Sequence, residues 1–189
     1  MNTERNTLVR SLHDLGAAAW FGGSLMGAVG LNGASGDITN PAERAKIAAD
    51  GWARWAPVAA GAIGAHAIGG VGMILANRDR VKHQDGVGAN TALKAALTVA
   101  AMATTAYSGL LGRKLADADP GHVTSGTVPS GATPDQDAKV QQQLRVLQWA
   151  TPILTGALII LGAQQGEQQK AGQVLTGTAV KAARGLLHR

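Results

Sequence analysis

The sequence predicts an all-α integral membrane protein, an up-down four-helix bundle with a polar outer loop and a basic C-terminal tail. Three observations point there. Of 189 residues, 15% are charged and 46% hydrophobic, whereas roughly a quarter of an average soluble chain is charged. Large anchors are scarce: one Phe and one Tyr accompany four Trp, and aromatics usually dominate core energetics. Above all, stretches free of Asp, Glu, Lys and Arg lie between Asp14 and Asp37, Arg54 and Arg78, Lys94 and Arg113, and Arg145 and Glu167. Each is roughly 20 residues long, the length a helix needs to cross the hydrocarbon core. Helices of soluble bundles carry a charged or polar face every turn, and these windows lack one. The absence of cysteine excludes a disulfide framework, a thiolate metal site and a cysteine nucleophile.

The first span is expected at about 10–32. Arg5 and Arg10 precede the apolar run Leu15–Leu31, and Ala34-Ser35-Gly36 offers small residues for cleavage. That run exceeds the roughly 7–15 residues of a secretory signal, so the segment reads as a retained span. Asn40-Pro41-Ala42-Glu43 is a helix start, with Asn as cap, Pro at the first helical position and Glu three residues after the cap. The second span follows at about 54–77 and the third at about 93–113. The loop Ala116–Ala132 is rich in Gly, Pro, Ser and Thr and is expected to be mobile. Thr133-Pro134-Asp135-Gln136 repeats the helix-start pattern and leads through a polar extension into a fourth span at about 145–165.

Residues 1–166 thus form the membrane domain. Residues 167–189 form a basic cytoplasmic tail in which Val174, Leu175, Thr178, Ala182 and Leu186 recur at helical spacing among Lys170, Lys181, Arg184 and Arg189. Such a tail suits an anionic membrane surface. A tandem hairpin repeat, 1–78 over 86–166, is suggested by NPAERAKI (40–47) over TPDQDAKV (133–140). Trp55-Ala56-Pro57 over Trp149-Ala150-Thr151-Pro152 continues the match. The first and third helices match poorly, so chance similarity is the rival explanation.

Orientation follows from Lys and Arg. The short loop Arg78-Asp79-Arg80-Val81-Lys82 is basic, and short loops obey the positive-inside rule best. Both termini are therefore expected in the cytoplasm of a bacterial inner membrane. Trp52, Trp55, Tyr107 and Trp149 then fall toward the outer interface as anchors. Small residues supply the helix packing that the hydrophobic effect cannot supply in lipid: Gly23 and Gly27 form a GxxxG, and Gly61, Ala65 and Gly69 recur at i+4.

Among five histidines, His66 alone lies at mid-membrane, and an ionisable group there is a functional candidate. Thr98, Thr104, Thr105, Thr151 and Thr155 supply hydroxyls as a plainer partner. With helix ends level, His66 lies about 16 Å deep and His13 roughly 5–8 Å. The offset of about 8–11 Å argues against a shared haem. Met26, Met73 and Met102 fall at three depths, so no soft copper cluster forms. His13, Asp14, Asp79, His83 and Asp85 line the inner rim, read as solvated polar groups. No HExxH, GxSxG, P-loop or Rossmann glycine set occurs. The positive charges flank spans, which favours anionic lipid over nucleic acid.

Arg10-x-x-His13 followed by Trp20-Phe21-Gly22-Gly23 resembles the copper-resistance D-like proteins, small bacterial four-helix membrane families that open a span with a similar His and then Trp-x-Gly-Gly. The resemblance covers the first helix only. It implies a compact four-span bundle tied to metal or haem handling, with His13 as a candidate ligand.

The expected function is that of a non-catalytic accessory or scaffold subunit. It would pack Gly/Ala-rich faces against other membrane subunits or a second copy, with no cofactor and no metal. The alternatives are a haem- or copper-binding bundle using His13 and His66, and a small-solute or ion permeation unit.

Overall fold

The structure, a computed structural model, describes residues 6–84, 86–117, 123–167 and 180. The chain is mostly helical. Four long helices are joined in order: α1 (Thr7–Met26), α2 (Pro41–Ala76), α4 (Val87–Asp117) and α5 (Asp135–Glu167), with a short α3 (Arg78–His83) between α2 and α4. A two-stranded antiparallel hairpin, β1 (Val123–Ser125) and β2 (Val128–Pro129), precedes α5. The basic tail lies outside the described residues, apart from Val180.

Helices α2, α4 and α5 are each long and apolar enough to cross a membrane. The first expected span is divided instead. Its opening turns carry Arg10, His13 and Asp14, and after Met26 the backbone passes into a π-helical turn, Gly27–Leu31. A short helical turn, Asn32–Ala34, and a 3-10 turn, Ser35–Asp37, follow. One residue inserted in a helix turns all that follows, and here it aims Asn32 inward.

Helix α2 starts as its sequence dictates: Asn40 Oδ1 accepts from Ala42 N–H (3.2 Å), and Asn40 Nδ2 donates to Glu43 Oε1 (3.0 Å). Helix α1 packs along α2 and also on α5, while α4 packs on α5 and, over a shorter stretch, on α2. Each contributes to one small core, in which Trp20, Ala62 and Ala101 meet Ile63 and Leu154.

The α1–α2 seam is close because glycine removes side chains. A Cβ on Gly16 would meet Ala62 O and His66 N, and one on Gly69 would meet Val9 O and His13 N, all backbone atoms. At the other end, Trp55 lies against Gly23 and Trp52 against Gly27.

Within the loop Ala116–Ala132, expected to be mobile, the described residues include the hairpin of β1 and β2. The hairpin is tied down by buried polar groups: Gly126 N–H donates to Ser35 Oγ (2.8 Å), and Thr127 Oγ1 donates to Gln148 Oε1 (3.3 Å). Asn32 Nδ2 donates to the same oxygen (2.8 Å), while Asn32 Oδ1 accepts from Trp52 Nε1 (2.9 Å). Turn composition set the backbone geometry of this loop, and buried partners fixed its position. Ser35→Ala removes the acceptor for Gly126 N–H. Limited proteolysis is expected to cut the hairpin faster in that variant, and an unchanged cutting rate contradicts the tie.

Candidate functional site

The two candidate histidines meet. His13 and His66 are 5% and 2% exposed, with ring centroids 4.2 Å apart and planes tilted by 35°. This corrects the expected depth offset. That offset assumed level helix ends, but α2 runs past the start of α1: Val9 of α1 lies beside Gly69 and Gly72 of α2.

The partners of the rings define their states. His66 Nδ1 donates to His13 O (3.1 Å), because a carbonyl only accepts. In the neutral ring Nε2 then accepts from Thr98 Oγ1 (3.2 Å). His13 Nδ1 donates to Asp14 Oδ1 (2.9 Å), whose side chain is 63% exposed. Trp20 stands edge-on to His66 at 6.2 Å and donates from Nε1 to Thr105 Oγ1 (3.1 Å).

These rings do not form an axial pair. A metal between two imidazoles holds each nitrogen at roughly 2.0–2.1 Å, which sets the rings apart on opposite sides of it. Here they stack, and both nitrogens of His66 are already bonded. Among the described residues no three His, Cys, Asp or Glu converge as metal ligands. Of the rim residues, His83 Nδ1 donates to Asp79 O (2.9 Å), and Asp85 is outside the described residues.

The histidines form the deep wall of a partly open cavity of about 250 Å³ between α2 and α4. Val71, Ile74 and Val99 form apolar walls, and Asn77, Arg80 and Val87 lie toward the loop end. Lys94 lines it at 8% exposure. Lys94 Nζ donates to Gln165 Oε1 (3.3 Å), and Gln165 Nε2 donates to Thr91 Oγ1 (3.2 Å). Burial, with Arg10 as a nearby like charge, lowers the Arg80 guanidinium from its ordinary value.

The packing and anchor residues fall into groups. Gly23, Gly27 and Gly69 lie in the α1–α2 seam, whereas a Cβ on Gly61 would meet open space, and Ala65 is half-buried. Trp52 and Trp55 wedge into α1. Tyr107 and Trp149 are exposed, and Tyr107 donates to Gln143 Oε1 (2.9 Å).

Sequence reasoning missed Lys94, which read as the edge of a charge-free window. Its signal was the row Thr91, Lys94, Thr98 and Thr105, which recurs at helical spacing on one face of α4. Comparison with known protein families, curated proteins and solved structures found no match.

Proposed function

We propose that the chain is a four-span integral membrane bundle with both termini on the cytoplasmic side of a bacterial inner membrane, acting as a non-catalytic accessory or scaffold subunit. The observation that carries this reading is the set of glycines left unfilled on the outer surface. Gly61 and Gly64 of α2, and Gly109 and Gly112 of α4, would each have open space at a Cβ. In lipid, close backbone approach is what lets a second helix dock. These glycines sit beside exposed Val58, Ile68, Met102 and Leu110. The apolar window of α4 is only 6% buried by the rest of the chain, against 17% for α2 and 22% for α5, so α4 has the most surface left to offer.

Topology supports the orientation. The basic Arg78–Lys82 loop shares one end of the molecule with the start of α1 and the end of α5, since His66 bonds His13 and Lys94 bonds Gln165.

The test is purification from native membrane at endogenous level in mild detergent, followed by mass spectrometry. A co-purifying membrane subunit or a defined oligomer is the expected result. Gly61→Leu is expected to leave the fold intact and to weaken that association. Migration as a lone monomer, with no partner, contradicts the reading.

A further inference from the structure

We propose that the cavity between α2 and α4 binds one anionic membrane lipid, with its headgroup phosphate at Lys94 and an acyl chain leaving sideways between the two helices. This rests on the membrane reading above and not on the accessory role.

Charge points to an anion. Lys94 is buried at 8% exposure, and its ammonium carries three donors, of which Gln165 Oε1 takes one. Among the described residues no carboxylate lies within ion-pair distance of Lys94, Asp14 acting on it only from farther off, and the described residues that line the cavity include no Asp or Glu. A buried charge is costly unless paired, so an anion in the cavity is the missing partner. His66 and Thr98 add polar surface deeper in the same wall.

Shape points to a lipid rather than a free ion. Val71, Ile74 and Val99 line the cavity and are 58%, 41% and 66% exposed. The cavity is therefore open through an apolar slot on the flank of the molecule. A free inorganic anion gains nothing from that slot, whereas a lipid chain lies in it at no desolvation cost. The volume of about 250 Å³ is below the roughly 300–1,000 Å³ of pockets that enclose a whole ligand. It takes a headgroup and the start of a chain, and the remainder stays among neighbouring lipids.

Depth agrees with this placement. Lys94 lies two turns into α4, which starts at Val87, roughly 10 Å along the helix at 1.5 Å per residue. That is within reach of an interfacial phosphate for a long side chain that snorkels.

The test uses the full chain in neutral detergent. Phosphatidylglycerol and phosphatidylcholine of identical acyl chains are added, and retained lipid is read by native mass spectrometry. Preferential retention of one phosphatidylglycerol is expected. Lys94→Gln, which keeps a group able to bond Gln165, is expected to reduce it roughly tenfold or more. Val71→Trp, at an exposed position, is expected to block the slot and reduce retention while the melting temperature holds. Equal retention of the two lipids, or unchanged retention in either variant, overturns the proposal. Inorganic phosphate that raises the melting temperature as much as the lipid does reduces the site to a small-anion pocket and overturns the lipid. Recovery of the chain from the aqueous phase without detergent is a separate result, which ends the membrane reading itself.

Discussion

Gly69→Leu is expected to destabilise the protein by about 3 kcal/mol or more, the upper range of overpacking. The cost is steep because the atoms in the way are backbone. A Cβ at Gly69 meets Val9 O and His13 N, which belong to a helix and cannot rotate aside as a side chain can. Either α1 moves away along the seam or α2 bends. Movement of α1 also parts His66 Nδ1 from His13 O. His66→Leu is expected to cost less. It removes two hydrogen bonds at about 0.5–1.5 kcal/mol each, and in membranes the net value is lower still. Gly61→Leu is the control, since its Cβ enters open space. Thermal unfolding in detergent measures all three. A Gly69 variant that melts with the parent, or that loses less stability than His66→Leu, refutes the close-packed seam.

The positions of α2, α4 and α5 were legible because their charge-free windows are set by composition, and composition reports the solvent around a helix. The start of α2 at Pro41 was legible as well, from the cap Asn40-Pro41-Ala42-Glu43, and the helix begins well ahead of the span expected from near 54 because its cap lies outside the hydrophobic stretch. The division of α1 was not legible. A π-helical turn keeps hydrogen bonding and hydrophobicity, so Gly27–Leu31 reads as uninterrupted helix.

The histidine pair was hidden for a different reason. Helical rise gives depth along one helix but not the slip of one helix against another. That slip is set by glycine contacts such as Gly16 with Ala62 and Gly69 with Val9. The hairpin was hidden because its partners, the buried Ser35 and the half-buried Gln148, lie far away in sequence. The glycines of α2 were visible as a small face. Which would meet α1 and which would face outward depended on the same slip.

Trp20→Ala is the second large effect, with an expected loss of about 3–5 kcal/mol. Trp20 is 1% exposed and is the one large aromatic among the small core residues Ala62 and Ala101. Ala62 and Ala101 have no long side chains to refill the space, which leaves Ile63 and Leu154 to move in, so part of the cavity persists and the cost stays within the range for a buried Trp. The indole also joins α1 to α4 through Thr105 Oγ1 at 3.1 Å, across helices that otherwise touch little. Trp20→Phe separates the two contributions. It keeps most of the volume and loses the N–H, so about 1 kcal/mol is expected. Thr105→Val leaves the indole N–H without its acceptor and is expected to cost about 1–3 kcal/mol. A double-mutant cycle with Trp20→Phe and Thr105→Val isolates the bond. Packing is thereby predicted to outweigh hydrogen bonding at this residue. If Trp20→Phe proves as damaging as Trp20→Ala in thermal unfolding, the bond to Thr105 holds α1 and α4 more strongly than packing does, and the order of the two contributions is reversed.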